Sequence, residues 1–416
     1  MADGSAKRSP TRDIRTICLP CTEEKYRSIV DDAQRFRSWL DETLAAHAEL
    51  FPDGFADGFT MADKRISKKL KLVLRRVELA DRRRFTIRPS FVMPHMTART
   101  DDVAKPLLLR KFGVPFWALA HVFGRNAMFW FRLECRLGHF SIVGTTVRQA
   151  QIPEHLVADE HHQTCDGDKV FLATTVAGGC CLGVAMAKTA SAQDLTAAYG
   201  VFAEEARDVQ PDYQPQTVNA DGWKSTKAAW LTIFPTIVVL RCFLHAWLKI
   251  RDRAKNLKEV FYELSRRVWH VYHADNKRSF SQRLRHLASW ASENVSGIIL
   301  AGVEDLCAKK KFWLEHYDHP GGQRTSNMLD RVMRPMHRYF FDSQHLHGGL
   351  ATNEKHVRGW ALLWNFTPWH PAVTKANHGW QSPAERLNKH RYHSNWLQNL
   401  LISASMGGYR TAPQKA

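Results

Sequence analysis

Apolar residues between Glu24 and Ala46 recur at helical spacing (Tyr26, Ile29, Val30, Ala33, Phe36, Leu40, Leu44), which predicts an amphipathic helix ending before the Pro52–Gly58 break. Residues 1–100 read as helical and basic, with one short strand around Phe85–Ile87. Residues 103–138 predict three short helices: Gly113 ends the first, Pro115 opens the second, Gly124 sits in a turn, and the third runs from about Asn126 to Gly138. From residue 154 the texture changes to strands. His155–Asp159, Val170–Val176 and Cys180–Ala187 are strand-like runs, and Gly178-Gly179 between the last two signals a hairpin. Ser191-Ala-Gln-Asp194 is a capping box opening a helix that runs to about Arg207. Thr217–Ala220 and Thr236–Arg241 are further strands, and Phe243–Arg253 is a helix. Residues 254–320 are helical, basic and aromatic, and a last capping box, Ser382-Pro383-Ala384-Glu385, lies near the C-terminus.

Three strands, a helix, a strand, then alternating helix and strand is the order of an RNase H-like fold. The expected class is therefore α/β: an RNase H-like catalytic core interrupted by an all-helical insertion, preceded by a helical DNA-binding region with a helix-turn-helix. The expected domains are a basic N-terminal region (1–100), the helix-turn-helix (101–150), the core in two parts (151–253 and 321–375), the insertion (254–320) and a C-terminal tail (376–416).

Charge sharpens this picture. With 59 Lys and Arg against 41 Asp and Glu, the chain carries a formal charge of +18, which implies a polyanionic partner more readily than a small metabolite. Eleven basic residues stand between Lys64 and Arg88 against Glu78 and Asp81 alone, and Arg75, Arg82 and Arg83 in this run are candidate phosphate contacts. Between Gln151 and Trp230 the sign reverses, with eleven acidic residues and five basic ones. An acidic block in a basic protein suits either a metal site or a solvated acidic face. The polar stretch from Met1 to Arg12 lacks an apolar export segment, and Leu231–Leu248 is interrupted by Pro235, Arg241 and His245, so neither export nor a membrane span is expected. Eight cysteines without a secretory signal read as free thiols in a reducing cytosol. Cys18 and Cys21 read as packed thiols or half of a metal site.

If Gly124 is the turn glycine of a helix-turn-helix, Leu119, Ala120 and Phe123 pack before it and Trp130 and Leu133 after it. Asn126, Met128 and Arg132 then face a DNA groove. The same residues also fit three plain core helices.

The strongest chemistry lies in the acids. Asp159 and Asp221 each follow a strand-like run and would lie on neighbouring strands, while Asp330 falls on a later helix with Arg331, Arg334 and Arg338. Hard oxygen ligands so placed suit two Mg²⁺ ions, with Mn²⁺ as a substitute. A pair ~4 Å apart would activate a water or 3′-OH and stabilise the leaving oxygen of an in-line phosphoryl displacement.

Five stretches carry a family resemblance: ADEHH at Asp159, VNADGWKST at Asp221, RCFLHAWLKIRDRAK at Arg241–Lys255, RTSNMLDRVMRPMHR around Asp330, and QSPAERLNKHRYHSNWLQNLLISASMGGYR. The chain resembles the DDE/D transposases of bacterial insertion sequences, in the broad group that includes the Mutator-like enzymes. Cys242-x-x-His245 matches that group's C/D-x-x-H signature, and Thr325, Asn327 and Asp330 match its T-x-N-x-x-D/E arrangement. The resemblance implies that Asp159, Asp221 and Asp330 are catalytic metal ligands and that His245 lies near them. Many relatives carry Glu as the third acid. Glu354 in TNEKH competes with Asp330 for that role, and the arginines after Asp330 favour it. The resemblance also implies double-stranded DNA partners (terminal inverted repeats and target), a homodimer or higher oligomer, and a bacterial cytoplasmic location at the nucleoid. Trp269 and Trp290 in the helical block are candidates to stack on unpaired bases, or core residues. Two other classes fit the same residues: a structure-specific nuclease that only hydrolyses, and an inactive DNA-binding regulator.

Overall fold

Nine strands form two sheets in the computed structural model, which describes residues 15–68, 70–342 and 346–409. The polar stretch from Met1 to Arg12 lies outside them. The first sheet joins β1 (Thr16–Leu19), β2 (Phe59–Ser67), β3 (Leu72–Leu79) and β4 (Arg84–Pro89) in the order β1-β4-β3-β2. Helices Glu23–Ile29 and Ala33–Ala46 connect β1 to β2.

The basic run is thus a β-hairpin, not a helix, and the N-terminal region is mixed rather than helical. Val77, Leu79, Phe85 and Ile87 are buried at every second position, a period that the dense charges between them obscure. Arg75 is accordingly a core residue rather than a phosphate contact. Its side chain is buried, donates to the Val30 carbonyl and lies 5.5 Å over the Phe36 ring. Arg82 and Arg83 are exposed, and Arg83 donates to Asp81 and to the Asp53 carbonyl. Cys18 and Cys21 are packed in the core of this region.

The second sheet contains β5 (His155–Cys165), β6 (Asp168–Ala177), β7 (Cys180–Ala187), β8 (Thr217–Ala220) and β9 (Val238–Arg241), in the order β7-β6-β5-β8-β9. β5, β6 and β7 are antiparallel; β8 runs parallel to β5 and β9 parallel to β8. Gly178 and Gly179 make the tight β6–β7 turn with φ of +59° and +80°, a conformation that a Cβ disfavours. Helix Ala192–Val209 leads from β7 to β8, capped by Ser191 Oγ, which accepts from the Asp194 N–H at 3.1 Å. Helix Lys224–Ile233, absent from the predicted elements, lies between β8 and β9. β5 continues six residues beyond the predicted end at Asp159, because its pairing with β6 extends to Cys165↔Asp168.

Residues 254–320 form helices Glu259–Tyr272, Lys277–Asn294, Gly297–Ala308 and Lys310–Leu314 around their own core, which includes Val268, Phe280, Leu284 and Trp313. Trp269 and Trp290 pack half-buried against that core, Trp269 5.2 Å from Tyr272 and Trp290 beneath the Arg267 guanidinium at 5.0 Å. No helix among the described residues is long and apolar enough to cross a membrane.

Helices Phe116–Phe123 and Ala127–Leu137 flank Gly124 as expected, with Leu119, Trp130 and Leu133 buried. Phe123, expected to pack, is 40% exposed. Asn126 is spent as the N-cap, accepting from the Phe129 N–H at 2.7 Å, while Met128 and Arg132 are exposed. The buried face of Ala127–Leu137 meets the long helix Leu350–Phe366 at backbone distance. A Cβ on Gly138 would stand 1.8 Å from the Lys355 carbonyl oxygen, and one on Gly359 would stand 2.4 Å from that of Glu134. Gly138→Ala is therefore expected to destabilise the fold by about 1–3 kcal/mol, read as a lower denaturant midpoint. The C-terminal helix Trp396–Ser403 is buried throughout, and Ser405 Oγ accepts from the Cys18 N–H of β1 at 3.0 Å.

Candidate active site

The second sheet positions the acids. β5 and β8 pair in parallel with His155↔Thr217, Leu156↔Val218 and Val157↔Asn219. Continuing that register brings Asp159, in mid-strand, level with Asp221, the residue after β8. Asp159 was expected at a strand end; it instead stands where β5 outlasts its parallel partner. Asp330 arrives from the first turn of helix Asn327–Asp342, and His245 from the first turn of helix Phe243–Ala254.

His245, Asp221 and Asp330 all lie within electrostatic reach of Asp159. Burial raises the Asp159 carboxyl to about 6; His245 opposes this, while Asp221 and Asp330 push it further up. Each acid is anchored through one oxygen: Asp159 Oδ1 accepts from the Glu160 N–H at 2.9 Å, and Asp221 Oδ1 from the Trp223 N–H at 2.7 Å. Asp330 Oδ2 takes the Ser326 hydroxyl at 3.2 Å. Glu354, the rival third acid, lies on helix Leu350–Phe366 within electrostatic reach of the buried Arg358.

Three contacts pin the segment before Asp330 to the sheet. Asn219 Nδ2 donates to the Gln323 carbonyl at 2.7 Å, the Phe243 N–H to the Arg324 carbonyl at 3.1 Å, and the Ser326 N–H to Cys242 Sγ at 3.2 Å. Cys242 also hydrogen-bonds His245. That bond, followed by the charges of Cys242, Asp159 and Asp221, raises His245 to about 9 against the opposing effect of burial, so the imidazole is a cation at neutral pH. Its folded value lies above the ordinary one, so the stability it contributes is complete below pH ~6.5 and is lost as pH rises towards 9. Cys242→Ala is expected to lower the His245 midpoint from about 9 towards the ordinary imidazole value, as followed by histidine NMR titration.

Glu160, Trp223 and Asn219 were not singled out in the sequence. Glu160 points to the opposite face of β5 from Asp159, where it accepts from Tyr199 Oη and Thr226 Oγ1, both at 2.8 Å. Burial pushes its carboxyl up to about 7, although those two donors oppose the shift. The ADEHH string carried the acid, but nothing in it indicates two hydroxyl partners from distant helices.

Arg334 and Arg338 are exposed one and two turns after Asp330 on its helix. Trp269 and Trp290 belong to the helical block and its own core. Arg82, Arg83, Met128 and Arg132 belong to the N-terminal sheet and the helical hairpin. Among the described residues, no three His, Cys, Asp or Glu side chains are grouped tightly enough to hold one metal ion as they stand. The donor chemistry fits a hard divalent cation: three carboxylates are each fixed through one oxygen, and burial, with Asp221 and Asp330 adding to it, raises the Asp159 carboxyl in a way that a cation would relieve. The chain matches no model of a known protein family and none of the curated proteins compared with it.

Proposed function

We propose that this chain is a DNA transposase that binds the terminal inverted repeats of a mobile element and catalyses metal-dependent strand cleavage and strand transfer. The observation that carries this reading is the electrostatic meeting of Asp159, Asp221 and Asp330 with cationic His245 beside one parallel strand pair. The strand order β7-β6-β5-β8-β9, third-second-first-fourth-fifth with only β6 antiparallel to the rest, supports an RNase H-like core. The helical block between Asp221 and Asp330, with its separate core, supports the inserted-domain reading. The net charge of +18 supports a nucleic-acid partner.

In this reading Asp159, Asp221 and Asp330 hold Mg²⁺, or Mn²⁺ in its place. The bound metal supplies activation of the attacking oxygen and neutralisation of the phosphate charge. His245 offers a fixed positive charge to a phosphate oxygen, and the Cys242 bond keeps that charge in place. Arg334 and Arg338 extend positive charge from Asp330 along the exposed side of its helix, the direction in which a DNA backbone would run. Both ends must be brought together, so a dimer or higher assembly is expected in this reading.

The test uses the full chain with Mg²⁺, DNA ending in the inverted repeats that flank its reading frame, and a target plasmid. Joined product is expected. Cleavage without joining from pre-cut ends would select the nuclease, and binding without cleavage the regulator.

A further inference from the structure

We propose that Trp223 is the base-stacking platform of this site: its indole receives an unpaired nucleobase of the DNA strand whose phosphate would be bound through the divalent cation that the three acids hold. The proposal rests on the reading of Asp159, Asp221 and Asp330 as a phosphoryl-transfer centre.

Trp130, Trp230, Trp313 and Trp360 are sealed in cores, whereas Trp223 is 43% exposed. An indole left part-exposed two residues after a candidate metal ligand has an apolar face to offer. Its position is also controlled. Gly222 turns the chain with φ of +93°, and the Trp223 N–H donates to Asp221 Oδ1 at 2.7 Å. The carboxylate and the Trp223 backbone are therefore held together, which keeps the indole close enough to Asp221 for a phosphate there and a base on Trp223 to belong to neighbouring nucleotides.

The surroundings match a nucleotide better than an apolar peptide. The Phe171 ring of β6 lies 6.3 Å from the indole, and Lys169 Nζ lies 5.2 Å over that ring. Exposed Lys224 and Lys227 follow Trp223 on its helix, and helix Lys224–Ile233 contains no acidic residue. Aromatic faces interleaved with lysines are the arrangement that binds unpaired DNA, with stacking for the base and ammonium groups for its phosphates. Trp269 and Trp290, by contrast, are half-buried and already packed against Tyr272 and Arg267.

The full chain would be titrated, in Ca²⁺, into a repeat-end duplex whose cleaved strand ends in an unpaired 2-aminopurine. Wild type is expected to quench the fluorescence. Trp223→Ala is expected to lose the quenching and bind about 10-fold more weakly or worse, and Trp223→Phe to restore most of both. With an abasic site in place of the 2-aminopurine, wild type and Trp223→Ala should bind alike. Unchanged quenching in Trp223→Ala overturns the proposal. So does a binding defect that persists on abasic DNA, since that indicates a structural role. A parallel Mg²⁺ cleavage assay separates the two readings. Cleavage by wild type with unaltered quenching in the variant overturns the stacking alone. No cleavage by wild type overturns the role of the acids, and with it the placement of the base beside a scissile phosphate.

Discussion

Asp159→Asn, Asp221→Asn and Asp330→Asn are each expected to slow metal-dependent cleavage and joining by about 10³-fold or more, a loss of ~4 kcal/mol of transition-state stabilisation, while repeat-end binding is kept. Asn preserves the shape of each side chain and removes the charge that would hold the proposed cation. The loss should not come from unfolding. Burial and two neighbouring acids raise the Asp159 carboxyl to about 6 in the folded chain, so its ionised form opposes folding above that pH. Asp159→Asn should therefore melt no lower than wild type at pH 8, a combination of preserved stability and lost activity that marks a functional rather than structural residue. Glu354→Gln, on the neighbouring long helix, should leave the rate unchanged. Loss of activity in Glu354→Gln with Asp330→Asn active would reverse the assignment of the third acid.

Arg110→Ala is expected to give the largest loss of stability, about 3–5 kcal/mol in denaturant unfolding, because it leaves a buried carboxylate without its counter-charge. Arg110 and Glu134 are both fully buried, with Arg110 Nε 2.9 Å from Glu134 Oε2. Tyr339 contacts both side chains, and its hydroxyl also lies 2.8 Å from His356 Nε2. Burial favours the neutral acid, but Arg110 and His356 outweigh it and hold Glu134 well below the usual carboxylate range. Its contribution is therefore complete above that range and is lost as pH falls below it. Tyr339 sits on the helix that carries Asp330, so the network ties the third acid to the helical hairpin. Arg110→Met with Glu134→Leu should recover much of the stability, since an apolar pair of similar volume removes the desolvation penalty on both sides. No recovery in the double variant would mean that the helix packing, and not the charge pair, sets the loss.

The part of the chain that carries the β5–β9 sheet was legible because its signals are local. The Gly-Gly hairpin, the Ser191 capping box and the apolar runs of β6, β7 and β8 each depend on residues close in sequence. The N-terminal sheet was not. Its hairpin strands carry Arg and Lys at every few positions, so charge density suggested a solvated helix while the buried period of two ran through Val77, Leu79, Phe85 and Ile87. Arg75 was misread for the same reason: composition reports a charge, not the Val30 carbonyl that accepts from it. β5 was cut short because the polar residues after Asp159 conceal a strand held by its antiparallel neighbour.

The sequence by itself determined the order of the strands from β5 to β9 and the net positive charge of the chain, and it nominated the three acids. Propensity, capping and charge act over a few residues or over the whole composition. Only the tertiary structure decided which acids meet, because Asp159, Asp221, Asp330 and His245 are brought together by strand pairing and by the contacts of Asn219, Phe243 and Cys242 with residues 323–326. The raised Asp159 carboxyl, the cationic His245 and the exposed indole of Trp223 belong to the same class, because burial and proximity exist only once distant segments are packed.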